Sequence, residues 1–182
     1  MSIQHILIAV AVFGLFFTIW YISTLNKLNR AIIKIDEADS GIDVALTKRY
    51  DVLTKMVDVV KGYSKYEKET LFEIINLRKS MTLEEKKKEN VKMTHNLEKI
   101  NLVVENYPEL KANENYKILQ QSIFDVEEHL QAARRLYNSN VSVYNQMIAT
   151  FPTNIVAKSK SMIEKDFFEA VEVKKENVKI KL

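Results

Sequence analysis

From Tyr116 to Phe151 the apolar residues fall at Tyr116, Leu119, Ile123, Val126, Leu130, Ala133, Tyr137, Val141, Tyr144, Ile148 and Phe151. Every step is three or four residues, and neither Gly nor Pro interrupts the run. Positions three and four apart share one face of an α-helix. The spacing therefore predicts a single helix of about 53 Å, at 1.5 Å per residue. A helix of that length with an apolar stripe from end to end needs partner helices along its whole length.

Composition points the same way. Only 3 Gly and 2 Pro occur in 182 residues, and sheets lean on those residues for turns at short intervals. The expected fold class is all-α: an N-terminal transmembrane helix, then an antiparallel bundle of three long helices and a shorter C-terminal one. With 47% hydrophobic and 28% charged residues, the chain has enough apolar surface for a packed core. A net charge of +3 is too weak to imply a nucleic-acid partner. The absence of Cys excludes a disulfide framework, a thiolate nucleophile and a thiolate metal site.

Ile6 to Ile22 carries no charged residue. With Ile3 the apolar run reaches about 20 residues, enough to cross a hydrocarbon core of roughly 30 Å. Trp20 and Tyr21 stand at its end, where amphipathic rings favour the membrane interface. A cleaved signal peptide would need a basic leader and a small-residue cleavage site. No Lys or Arg precedes the run, and Ser23-Thr24-Leu25 is a poor site, so the expectation is an uncleaved anchor through residues 3–22. Lys27, Arg30 and Lys34 follow the run, against His5 and the amine before it. Positive flanks stay inside. The expected arrangement is a single pass through the cell membrane with the N-terminus outside and the bundle cytoplasmic.

The expected domains are the anchor at 1–24, the bundle at 25–171 and a basic tail at 172–182. From about Leu25 to Met81 the helical spacing passes through Ile35, Ile42, Leu46, Leu53, Met56, Val60, Leu71 and Ile74. Asp39, Arg49 and Glu67 share that register, so each needs a partner or water. Gly41 and Gly62 mark kinks or close approaches. Thr82-Leu83-Glu84-Glu85 is a capping box opening the next helix. Glu84 to Lys92 is almost wholly charged and is expected to be a solvated tip beyond the core. The stripe resumes at Met93, Leu97, Ile100, Val104 and Tyr107. Tyr107 to Asn113 is a turn, with Asn113 capping the long helix. Phe151-Pro152 ends that helix. A shorter one is expected from Asn154 to about Val171, and Lys174 to Leu182 is a solubilising tail.

Three stretches carry a family resemblance. The first is Asp43-Val44-x-Leu46-x-Lys48-Arg49-Tyr50-Asp51-Val52-Leu53, continuing through Met56-Val57 and Val60-Lys61-Gly62-Tyr63 to Glu67. The second is Tyr107-Pro108-Glu109-Leu110-Lys111-Ala112-Asn113-Glu114-Asn115-Tyr116, then Leu119-Gln120. The third is Ala133-Arg134-x-x-Tyr137-Asn138-x-x-Val141-x-x-Tyr144-Asn145-x-x-Ile148-x-x-Phe151-Pro152-x-Asn154. In this order, behind an N-terminal apolar helix, they resemble the LemA family over nearly the whole chain. The chain departs from the family pattern at Asp39, where Trp is usual, and at Thr54-Lys55, where Pro-Asn is usual. Val178 stands where Pro is expected. The resemblance implies an antiparallel helical bundle on a membrane anchor and no settled biochemical activity.

A search for chemistry yields little. The His residues are His5, His95 and His129, with no zinc-binding His-Glu-x-x-His and no Glu three residues before either bundle His. Gly occurs only at 14, 41 and 62, so no Gly-rich phosphate loop exists. No enzyme activity, cofactor, metal or small-molecule substrate is expected. One candidate inter-helix polar site remains: Asp43, Arg49 and Asp51 on the first helix, with Glu127, Arg134, Asn138 and Asn145 on the long one. The alternative is that these residues form hydrogen bonds and ion pairs fixing helix register. The expected function is a membrane-anchored protein-interaction module. A self-assembling membrane-organising protein is the competing reading, because a stripe with this period suits association between copies.

Overall fold

A computed structural model of the chain describes residues 3–62, 73–78 and 80–169. They form five helices: α1 Ile3–Lys61, α2 Leu83–Glu105, α3 Pro108–Ala112, α4 Glu114–Ala149 and α5 Thr153–Ser159. The fold is all-α, as the periodicity predicts. Two compact units divide it, one built from 3–38 and 136–167, the other from 39–135 with Phe168 and Glu169. The division falls inside the span 25–171 that the sequence suggests as one bundle.

In the first unit, α1 opens with a stretch that is exposed on every side. Ile3, Leu7, Val10, Phe13 and Phe16 all face outwards, and the apolar window of this helix is long and hydrophobic enough to cross a membrane. Farther along, Leu28 packs against Val156 and Ala157 of α5, with Trp20, Tyr21, Leu25, Met147, Ile148 and Met162 around them. The Tyr21 hydroxyl and Ser159 Oγ are hydrogen-bonded at 3.0 Å, and Asn140 of α4 donates to the Lys34 carbonyl at 2.8 Å. Thr153 Oγ1 donates to the carbonyls of Met147 and Thr150, closing the end of α4.

That end comes slightly early. α4 stops at Ala149, and Phe151, expected on the stripe, is 79% exposed in the turn before α5. Pro152 supplies no N–H to continue the helix. α5 is also shorter than the expected 154–171. Ser161 turns left-handed at φ 50°. Its N–H donates to the Lys158 carbonyl, and the Met162 N–H donates to Ala157. This crossed pair is the Schellman closure, usually built on Gly. Residues 162–169 then run without regular secondary structure.

The core of the second unit is the stripe read from sequence. Ile42, Leu46, Leu53, Met56 and Val60 of α1 are buried, as are Met93, Ile100 and Val104 of α2 and Tyr116, Ile123, Val126 and Leu130 of α4. The Thr82 box is complete: Thr82 Oγ1 accepts from the Glu85 N–H, and Glu85 Oε2 accepts from the Thr82 N–H at 2.8 Å. Asn113 Oδ1 accepts the Tyr116 N–H at 3.1 Å and caps α4. The expected turn at 107–113 contains the short α3, with Pro108 at its start.

Two expectations fail here. α1 ends at Lys61 instead of continuing to Met81, and residues 73–78 have no helical structure. Ile74, expected on the stripe, is 78% exposed. Glu67 and Leu71 lie outside the described residues, as do Tyr63 and the 172–182 tail. Nor is the charged run of α2 a free tip. Lys86 is 1% exposed, and Glu89 is buried too, because each meets partners that periodicity does not reveal. Gly41 lies within α1 with no atom within 4 Å of an added Cβ, so no close approach requires it.

Candidate functional site

The polar residues singled out from sequence fall into separate places. Arg49, Glu127 and Arg134 gather in the second unit. Arg49 stands on the buried face of α1 and is 2% exposed. Its Nη1 donates to the Asn90 carbonyl at 2.9 Å and to Asn90 Oδ1 at 2.6 Å. Its Nη2 donates to Thr94 Oγ1 at 3.1 Å and pairs with Glu127 Oε1 at 2.5 Å. One guanidinium thus ties α1 to α2 and α4. Its planar fork suits this, since an ammonium offers no fixed pair of directions. Burial lowers the Arg49 pKa, and the charge and hydrogen bond of Glu127 oppose that shift.

Arg134 lies on the same unit's stretch of α4. Its guanidinium carbon sits 4.8 Å from the centroid of the Phe168 ring, a cation–π arrangement. Burial lowers its pKa, the positive charge of Arg49 adds to the lowering, and Glu127 opposes both. Two cations thus share one nearby carboxylate.

Asp43 does not join Arg49. With Asp39, one helical turn earlier, it grips Lys86 of α2, each carboxylate 2.8 Å from Nζ. Asp51 is exposed and lies on neither cluster. Sequence reading missed Lys86, Asn90 and Thr94. The available signals were the acidic pair Asp39 and Asp43 at helical spacing, and Asn90 and Thr94 at the same spacing on the next helix.

A second polar face of α2 holds the extended segment 73–78. Asn96 accepts the Glu73 N–H at 2.9 Å and donates to the Glu73 carbonyl at 3.0 Å. Lys92 donates to the Ile74 carbonyl, and Glu89 accepts the Asn76 N–H at 2.9 Å. Glu85 pairs with Arg78, and His95 with the Glu73 carboxylate. Glu85, Glu89, Lys92 and Asn96 recur every three or four residues, so one helix face clamps the segment at successive points. Burial works to raise the Glu89 pKa, but its bonds from Lys92 and the Asn76 N–H outweigh it, and the net shift is downward.

In the first unit, Asn145 repeats the device. It donates to the Lys165 carbonyl and accepts the Lys165 N–H, both at 2.9 Å. Beside it the Tyr144 hydroxyl donates to the Ile163 carbonyl and the Tyr137 hydroxyl to the Asp166 carbonyl. Burial raises the Tyr144 pKa and keeps its hydroxyl a donor. Asn138, on the same helix, is half-buried. Among the described residues no group of three or more His, Asp or Glu side chains is placed to hold a metal ion.

Known proteins are similar to this chain in sequence. The model of the LemA family matches residues 38–182. Protein LemA of Metamycoplasma hominis is 32% identical over 178 residues, covering 95% of this chain and 81% of that protein.

Proposed function

The chain belongs to the LemA family, and on that premise we propose that it is a membrane-anchored helical module that acts by binding another protein rather than by catalysis. Residues 3–22 cross the cell membrane once, with the N-terminus outside and the helices that follow in the cytoplasm. The observation that carries this reading is the start of α1. Its apolar side chains face outwards on every side, and the helix continues without a break into packed, polar-faced structure. A helix apolar all round needs a protein or lipid environment around it.

The interaction role is supported by how the motif residues are used. The donors of Arg49 are directed at Asn90, Thr94 and Glu127, and both hydrogen-bonding atoms of Asn145 are directed at Lys165. These residues position helices and straps, which leaves the outer helix faces for contact. Crosslinking in intact cells, followed by identification of neighbours, is expected to return one reproducible protein partner. Crosslinks only between copies of the chain would favour self-assembly instead. Repeated recovery of no protein neighbour would sink both.

A further inference from the structure

Two cavities lie in the first unit just beyond the apolar stretch of α1. The nearer, about 360 Å³, is lined by Ile19 and Ile22, then Ser23 and Asn26, and closes on Lys27 and Arg30. The second, about 330 Å³, shares Lys27 and Arg30 and adds Lys34, above a floor of Ala31, Val143 and Met147. They therefore adjoin, grading from apolar beside the span to basic beyond it. No carboxylate lines either one. The side chains of Lys27, Arg30 and Lys34 are exposed and make no hydrogen bond or ion pair among the described residues. Their spacing of three and four residues aligns them on one face of α1.

We propose that this pair of cavities binds the headgroup of an anionic membrane phospholipid, with the phosphate on Lys27, Arg30 and Lys34 and the start of an acyl chain on Ile19 and Ile22. The proposal rests on the membrane-anchored reading above. Height supports it. At 1.5 Å per residue, Lys27 and Arg30 stand about 8 and 12 Å beyond Ile22, and Lys34 about 18 Å, so Lys34 reaches the phosphate by leaning back along the cavity it shares with them. The polar layer of one leaflet is roughly 5–8 Å deep, and long basic side chains lean towards it along their apolar stems. Ser23 and Asn26 lie at the same level and offer hydrogen-bond donors to phosphate or glycerol oxygens. Charge fits as well: three unpaired cations face one phosphate, and anionic lipids are enriched in the cytoplasmic leaflet, where the proposed orientation places this end of the helix. A free phosphate would share the cation chemistry. The apolar half of the groove, opening beside the span, commits the assignment to lipid.

Trp20, the only tryptophan, packs against Leu28, Val156 and Ala157 and is the sequence neighbour of Ile19 in the nearer cavity, close enough to report on a lipid held there. The full chain is reconstituted in phosphatidylcholine vesicles containing a few mole per cent of brominated phosphatidylglycerol or, in parallel, brominated phosphatidylcholine. Quenching of Trp20 by the brominated anionic lipid is expected to exceed quenching by its neutral counterpart several-fold at equal mole fraction. Replacing Lys27, Arg30 and Lys34 together by Gln removes the excess, and each single replacement lowers it in part. The parallel replacement of exposed Lys48 and Lys55, on the far part of α1, leaves it intact. Equal quenching by both lipids in the unaltered protein overturns the proposal without needing any variant. Quenching by neither lipid would instead refute insertion, and with it the anchor. Inorganic phosphate at matched ionic strength is expected to leave the excess unchanged. Its loss at low millimolar phosphate would reassign the groove to a soluble anion and overturn the lipid assignment.

Discussion

Arg49 donates two hydrogen bonds to Asn90 and one to Thr94 and forms an ion pair with Glu127, while among the described residues its Nε has no partner. A buried cation is tolerable only when paired and hydrogen-bonded in this way. Lys86 is as deeply buried, and in both cases water reaches the carboxylate: Glu127 is 32% exposed in its side chain, Asp39 and Asp43 36% and 50%. Arg49→Met should cost about 2 kcal/mol in denaturant unfolding, because Asn90 and Thr94 lose a buried donor while Glu127 is partly rehydrated. Adding Glu127→Leu should recover a substantial part of the loss. A double variant no more stable than the single would show that the carboxylate is not what makes the unpaired site costly. The sequence showed Arg49 on the apolar stripe and its need for a partner. Which partner was hidden, because Asn90, Thr94 and Glu127 sit on two other helices and hydrophobic spacing says nothing of their meeting.

Among elements, the strap 73–78 shows where periodicity misleads. Ile74 continues the three-and-four count of α1 in sequence, yet the helix has already ended, and α2 supplies the hydrogen bonds that the helix no longer can. Capping chemistry was legible because it is local: Thr82 with Glu85, and Asn113 with Tyr116, lie three residues apart. The clamp was not legible, because Glu73 and Asn96 stand 23 residues apart. Glu89 makes the clamp sensitive to acid. Its pKa in the folded chain lies below the ordinary value of about 4.3. Its contribution is thus complete above that value and is lost as pH falls through the lowered one. Amide protection at Asn76, corrected for intrinsic exchange, should hold through neutral pH and fall only on acidification beneath the ordinary Glu range. Asn96→Ala should expose the Glu73 amide at every pH. A Glu89→Ala variant whose Asn76 amide stays as protected at neutral pH as in the unaltered chain would rule out Glu89 as the holding group.

For the molecule as a whole, the proposed membrane topology rests on where charge changes along α1 more than on any one side chain. The apolar stretch ends at Ile22, and Lys27, Arg30 and Lys34 follow on the same helix. Cations on that flank favour retention on the cytoplasmic side. Protease added to intact right-side-out cells should leave the residues after the anchor undigested, and cleavage should appear only once the membrane is opened. Digestion in intact cells would invert the assigned orientation. The family and the helical class were both readable from the chain, since they rest on local motifs and spacing. The division at 38–39 and 135–136 was not, because α1 and α4 run through it without any break in pattern.

The two asparagines that hold straps, Asn96 and Asn145, each bond the backbone N–H and C=O of one residue and do not touch its side chain. A peptide group is the same in every amino acid except proline, which lacks the N–H. Residue 165 is thus nearly free to drift under mutation while the hold on it stays constant, and residue 73 gives up only the pairing of its carboxylate with His95 when it changes. Change in the straps is cheap, and change in the two amides that read them is not.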